Sequence, residues 1–267
     1  IVFGDWSSDV CSSDLAAQVP GFEAPSAESL GEQGFCLRAT ALAGQPVILA
    51  YGAALQGTRN ALAELARRVR EGESGPYLEA PLDLVSKPYF ALRGLHFNGW
   101  AFDSPYTFRN WTESEWQRFI DGLACQQVNL LYLWPFMEII PLPLSGEDRA
   151  YLEEVNRLVQ YAQQCHGMEV WLMQAANRVA QSDLGVADPR KRPYWRPEQK
   201  DLDPGDPEAL REIRAAHEAL YSVVTSADGV CTIDTDPGGF PGSPLSEYMT
   251  LLTDTRKIGR ASCRESV

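Results

Sequence analysis

Two aspartates set two residues apart, Asp234 and Asp236, close the run Gly229-Val-Cys-Thr-Ile-Asp234-Thr-Asp236-Pro-Gly-Gly239. A short apolar run that ends in carboxylates reads as a buried strand whose tip carries chemistry. If the strand persists through Asp236, the spacing of two points both side chains to the same side. Like charges that close push one pKa upward, which is how a carboxyl group becomes a proton donor near neutral pH. Cleavage of a glycosidic bond commonly uses two carboxyl groups placed across it. The plainer reading of Asp236, beside Pro237, is that it braces the Pro-Gly-Gly turn. The signal rests on position at a strand end and not on a unique motif.

Three further runs have to position this tip. Ala91–Asn98, Asn129–Pro135 and Met168–Met173 are short and nearly continuously apolar, as expected of parallel strands covered on both faces. Polar and aromatic residues follow each of them, and in a closed βα barrel those ends are where sites are built. Sorted in this way, the catalytic candidates are Asp234, Asp236 and Glu138. The substrate-binding candidates are Asn98, Trp100, Trp134, Asn177, Arg178 and Trp195. The aromatics among them, with Tyr194, could stack on the apolar face of a sugar ring, although each alone reads as a packing residue. Asn98 and Glu138 would orient the substrate.

Helices separate the runs. Thr112-Glu-Ser-Glu115 is a capping box, after which Trp116, Phe119, Ile120, Leu123 and Ala124 form one apolar stripe. Ser145 caps a helix to about His166 that Gly167 ends, and Asp206-Pro207 opens another. His217 lies on the apolar stripe of that last helix and reads as a packed histidine. Between Ala180 and Asp203 about two dozen residues show no clear period, a length that is uncommon in compact domains unless functional or disordered. A fourth helix is expected from Pro244. The sum is an α/β chain whose residues 89–257 form the first half, about four βα units, of a TIM (β/α)8 barrel.

Residues 16–88 read as a small α/β accessory domain and linker. Phe35–Ala41 and Pro46–Tyr51 are two strands, Gln56–Arg70 a helix, and the prolines at 76, 81 and 88 interrupt regular structure. The ends, 1–15 and 258–267, lack apolar periodicity and resemble translated sequencing-adapter DNA, which leaves them out of the fold. On this reading the chain is a fragment whose true start is missing, so localisation stays open, secretion or a periplasmic location being compatible. Half a barrel leaves sheet edges unpaired and is expected to be inactive alone, and poorly soluble or dimeric.

The net charge of −13 argues against nucleic acid or an anionic membrane as partner and suits a neutral, polar ligand such as a sugar. Oligomeric state is not readable. No phosphate loop, dinucleotide glycine motif, zinc spacing or nucleophile elbow occurs, so no cofactor and no metal are expected. Cys36, Cys125, Cys165 and Cys231 have no metal-type spacing and are expected to be buried free thiols.

Four stretches together carry a resemblance: Ala50-Tyr-Gly-Ala-Ala-Leu-Gln-Gly-Thr58, Leu92-Arg-Gly-Leu-His-Phe-Asn98, Val128-Asn-Leu-Leu-Tyr-Leu-Trp-Pro135 and Asp234-Thr-Asp-Pro-Gly-Gly239. The chain resembles glycoside hydrolases with a small α/β domain before a TIM barrel, namely the α-glucuronidases and, more distantly, the β-N-acetylhexosaminidases. The resemblance implies carbohydrate hydrolysis with a catalytic or substrate-binding carboxylate on strand four. Hexosaminidases would have Asp-Glu where this chain has Asp234-Thr-Asp236, and Asp where it has Asn98, which favours the glucuronidase-like side. A second catalytic carboxylate is then expected on a later strand. The alternative is a non-catalytic carbohydrate-binding barrel.

Overall fold

The computed structural model describes residues 19, 21–42, 44–80, 82–97, 108–180, 186–192, 199–233 and 252–253. The chain divides into two compact units, Ile1–Arg93 with Asp121–Val128, and Gly94–Ile120 with Asn129–Val267.

In the first unit a short helix α1 (Ala27–Leu30) precedes strands β1 (Phe35–Leu42) and β2 (Gln45–Gly52), helix α2 (Leu55–Arg67), a hairpin β3 (Val69–Gly72) and β4 (Gly75–Leu78), and β5 (Asp83–Ser86). β1 pairs antiparallel with both β2 and β5, giving the order β2-β1-β5. Phe35, Leu37 and Ala61 form its core, with Ala50, Leu65 and Leu84 packed against them. The stretch expected to be a linker is therefore largely strand. Its prolines fall where they do little harm, Pro76 in the small β3–β4 hairpin and Pro88 beyond β5, as expected of a residue that cannot donate to a ladder. Val69, within the expected helix Gln56–Arg70, is instead exposed on β3.

Two glycines in the quoted stretch at 50–58 let the start of α2 press onto backbone. A Cβ on Gly52 would lie 2.1 Å from the Thr58 nitrogen, and one on Gly57 2.3 Å from the Gly34 carbonyl. The Gly57 amide donates to the Glu32 carbonyl (3.0 Å), and the buried Asn60 side chain donates to the Gln33 carbonyl (2.8 Å).

The second unit holds β6 (Gly94–Phe97), β7 (Leu130–Leu133), helix α4 (Gly146–His166), β8 (Glu169–Ala175), β9 (Arg178–Ala180), β10 (Gln199–Asp201), helix α5 (Pro207–Tyr221) and β11 (Gly229–Ile233); helix α3 (Glu113–Cys125) joins β6 to β7. β6, β7, β8 and β11 form one sheet, all parallel and in chain order. Such pairing requires a crossover between strands, and α3, α4 and α5 supply it. The fold is thus mixed α/β and compatible with a partial α/β barrel.

Alternation sorts the faces of this sheet. Val170 and Leu172 are wholly buried, whereas Tyr132 and Trp171 on the opposite parity are half-buried and meet edge to face at 5.9 Å. One register row crosses all four strands at His96, Tyr132, Trp171 and Gly229. Gly229 leaves room for its neighbour, since a Cβ there would sit 2.9 Å from the Trp171 ring.

The caps form as expected. Thr112 and Glu115 exchange hydrogen bonds ahead of α3, Ser145 and Asp148 do so at α4, Gly167 ends α4 in the left-handed region (φ 63°), and Asp206 caps α5 with Pro207 first. The connection from 180 to 203 is not featureless: Asp201–Gln199 pair antiparallel with Arg178–Ala180, and Pro189–Lys191 make a short 3-10 turn. Of the expected fourth helix, Leu252 and Thr253 are described, and Leu252 packs on the cluster of Ala176, Val179, Leu202, Ala209, Ile213 and Ala216. The thiols divide, Cys36 being buried, Cys231 half-buried, and Cys125 and Cys165 exposed, because the last turn of each helix turns them outward.

Gly57→Ala is expected to lower unfolding stability by about 2–4 kcal/mol, because backbone has to move. Gly122→Ala, at an exposed site on α3 with nothing within 4 Å of the added carbon, is expected to raise it by about 0.5–1 kcal/mol. Urea unfolding of the two variants checks both signs.

Candidate active site

β7 stops at Leu133, paired with Leu172, while its neighbour β8 runs three residues further to Ala175. At the start of the pair the Glu169 amide donates to the Asn129 carbonyl (2.9 Å), and alternate amides along β8 face the same way. Six residues on, the Ala175 amide faces β7 where no β7 carbonyl remains. Glu138 Oε1 accepts it through a very short hydrogen bond. The carboxyl group thereby continues the ladder in place of backbone.

The turn that delivers Glu138 is tightly built. Pro135 accepts from the Tyr151 hydroxyl (2.7 Å), and Phe136 adopts a left-handed conformation (φ 54°), a strain of about 1–3 kcal/mol for a bulky residue. The turn lays the Phe136 ring on Trp134 (4.7 Å, stacked) and under the Arg109 guanidinium (5.0 Å), then carries Glu138 into the 3-10 turn Met137–Ile139. The Trp134 indole donates to both Glu138 oxygens at 3.4 Å. Burial pushes the Glu138 carboxyl up to about 7, against the Ala175 and Trp134 hydrogen bonds and the Arg178 charge, which favour the ionised form.

Beside it, Gln174 accepts from the Tyr221 hydroxyl (2.8 Å) and lies 3.4 Å from His217 Nε2. His217 is buried, and desolvation brings its pKa down to about 4, so the ring is neutral at physiological pH. A packed histidine was expected, and this one also lines a cavity. Arg178 is buried, with its guanidinium 3.6 Å from Asp201 on the paired strand, and burial raises the Asp201 carboxyl despite that neighbour. A cavity of about 100 Å³ opens among Glu138, Gln174, Arg178 and His217, closed by apolar side chains from the turn after β7 and from α5. Among the described residues no group of three or more His, Cys, Asp or Glu is placed to hold a metal ion.

The structure brings together two of the sequence candidates, Glu138 and Arg178, at the ends of β7 and β8. Trp134 is 1 % exposed and covered by Phe136; it is not an open sugar platform but a clamp on Glu138. Asn177 is wholly buried and clips the β9–β10 ribbon, donating to the Leu202 carbonyl (3.0 Å) while its own carbonyl accepts from the Leu202 amide (2.9 Å), so it holds chain and not ligand. Asn98, Trp100, Trp195, Asp234 and Asp236, with Tyr194, lie outside the described residues. Asp234 directly follows Ile233, the last residue of β11.

A brace around this turn had no sequence signal. Arg192 pairs with Asp148, both buried, and donates to the carbonyls of Ile139 (3.4 Å), Val186 (2.7 Å) and Ala187 (2.9 Å). Arg109 in turn donates to the Arg192 carbonyl (2.8 Å). Asp148, Ile139 and Arg109 lie 44 to 83 residues from Arg192 in the chain, beyond the reach of any local pattern.

The fold and the rim together define an α/β chain with parallel strands in sequence order and ionisable groups at their carboxyl ends. No protein-family model and no curated protein matches the sequence. Solved structures do. A glycoside hydrolase family 20 β-N-acetylglucosaminidase is similar at TM-score 0.56 and 13% identity, over 86% of this chain and 52% of that one. The family 20 β-N-acetylhexosaminidase of Streptomyces coelicolor A3(2) is similar at TM-score 0.56 and 16% identity, over 94% and 57%. A family 20 exo-β-N-acetylglucosaminidase of Vibrio harveyi is similar at TM-score 0.54 and 14% identity, over 89% and 43%. At these identities the likeness is one of fold, and the chain spans about half the length of the structures it matches.

Glu138 and His217 set opposing pH responses. Between about pH 4.5 and 7 the folded chain holds the Glu138 proton that the unfolded chain has released, so this contribution to stability falls as pH rises through 7. Between about 4 and 6.5 the unfolded chain holds a His217 proton that the fold refuses, so that contribution falls as pH drops from 6.5 to 4. Over pH 4.5–6.5 the slopes oppose each other. Glu138→Gln, which keeps an acceptor for Ala175, is expected to remove the falling Glu138 slope, leaving the rising His217 slope unopposed by it, and to be more stable than the native chain above pH 7 by ~1–3 kcal/mol. Urea midpoints measured from pH 4 to 8 check this, and an unchanged pH profile would remove Glu138 as a proton-holding group.

Proposed function

We propose that this chain is part of a glycoside hydrolase, with a small α/β accessory domain at 16–88 and the first half of a TIM barrel at 89–257. The whole protein cleaves glycosidic bonds in poly- or oligosaccharides by carboxylate acid–base catalysis. The observation that carries the reading is the pairing of a sheet similar in fold to family 20 hydrolases with a rim carboxyl, Glu138, whose proton is held to about pH 7. A carboxyl group with that affinity for its proton is suited to general acid work near neutrality. Asp234, one residue beyond β11, or Asp236 serves as acid or as anchor for a sugar hydroxyl; Arg178 orients substrate, and Asn98, Trp100 and Trp195 complete the rim.

The substrate has two supports that point differently. The hexosaminidase-type structures favour an N-acetylated amino sugar. The sequence Asp234-Thr-Asp236-Pro-Gly-Gly239, lacking an Asp-Glu pair, keeps the α-glucuronidase-like reading, to which those structures add nothing. Chromogenic aryl N-acetylglucosaminide and aryl glucuronide, offered to the full-length protein, separate the two. A non-catalytic carbohydrate-binding barrel is the second reading, and it predicts sugar affinity without turnover.

In the full-length protein Asp234→Asn is expected to lose at least ~10²-fold in kcat on whichever substrate is cleaved. An unchanged rate removes Asp234 from the mechanism.

A further inference from the structure

Gln174 shares strand parity with the buried Val170 and Leu172, and its partners His217 and Tyr221 belong to α5. The cavity it floors is therefore on the helix-covered side of the sheet, opposite the face that carries Tyr132 and Trp171. Four polar side chains on it are at least nine-tenths buried: Gln174, His217, Glu138 and Arg178. Its volume of about 100 Å³ compares with the ~10–15 Å³ that one water needs on the same measure. Leu142 and Glu212, both exposed, stand at its opening.

We infer that this cavity is a binding pocket for one neutral sugar unit, built between α5 and the ends of β7 and β8. It rests on the carbohydrate reading of the protein and deepens it, naming the class of sugar that the site of Glu138 and Arg178 takes. A pyranose offers hydroxyls that donate and accept at the same atom, together with an apolar ring face. The pocket lining carries donors on Arg178, acceptors on Glu138, the remaining donor and acceptor capacity of Gln174 beyond its bonds to Tyr221 and His217, and an apolar wall from Val179 and Leu220. A phosphate or a sugar carboxylate fits poorly, because Arg178 already faces Asp201 and the wall also carries Glu138 and Glu212. A cation would have to lie against Arg178. A neutral polyol is the ligand class that conflicts with none of these groups.

The test is a titration of the protein with glucose, N-acetylglucosamine and glucuronate, followed by calorimetry and by the imidazole proton resonances. Only three histidines occur, so the His217 signals can be assigned. Saturable binding of a neutral sugar is expected, with glucuronate at least ~10-fold weaker and with shifts at His217 but not at His166. Ala216→Leu, which fills the pocket from α5, is expected to weaken binding at least ~10-fold, whereas Ala215→Leu on the exposed side of the same helix leaves it unchanged. Absence of saturable binding, preference for glucuronate, or shifts confined to His96 overturns the inference. The His217 shifts are read on the unsubstituted protein, so a misfolded Ala216 variant does not remove the test. Binding that persists without hydrolysis by the full-length protein sinks the catalytic reading alone; Asp234-dependent hydrolysis without binding here sinks the pocket alone.

Discussion

One backbone amide dictates the rim of the second unit. β8 runs on after β7 has ended, and a buried N–H with no acceptor costs about 1–3 kcal/mol. A side chain from the departing strand supplies the acceptor, and this requirement explains the rest of the turn. Phe136 takes a left-handed conformation so that the chain can double back, Trp134 donates to the acceptor from the other side, and Glu138 ends up almost wholly buried. The raised proton affinity is a by-product of solving a hydrogen-bonding problem. Chemistry at such a position comes at no further structural expense, since the group is already fixed and already desolvated.

The loops around this turn are held by charge as well as by apolar packing. Arg192 reaches Asp148, which also caps α4, and three carbonyls from two segments; Arg109 lies over Phe136 and reaches the Arg192 carbonyl. A buried ion pair contributes little net stability because desolvation offsets the attraction, but removing one partner is severe. Its value here is directional. A guanidinium with several donors in a fixed plane can pin several loop carbonyls at once, which an apolar side chain cannot do.

Much of the framework was legible in the sequence. Apolar runs at 129–135, 168–173 and 229–234 became β7, β8 and β11, and the capping residues Thr112, Ser145 and Asp206 marked helix starts, because both signals are local. The stretch after α2 was misread because prolines suggest a break, whereas a strand that borders a sheet tolerates them nearby; β5 also owes its place to β1, some forty-five residues away. At the rim, the structure brings Glu138 and Arg178 of the sequence candidates to one cavity and buries Trp134 and Asn177 against the chain itself. Strand parity tells which side a residue takes and says nothing about what later covers it. The Arg192–Asp148 brace and the Gln174–Tyr221–His217 cluster join segments that share no period, so nothing local could announce them.

The strand order has a consequence for how the chain assembles. β7 pairs with β6, β8 with β7, and β11 with β8, so each strand's template is the strand made just before it. Asp228 reinforces the last step, its carboxylate accepting from the Val170 amide (2.7 Å) and from Gln163 on α4 (2.9 Å) before β11 begins. A sheet built in this way needs no contact with residues still to be synthesised at any stage. It can grow from the amino-terminal side while translation continues, each newly completed strand shielding an edge that would otherwise recruit a stranger.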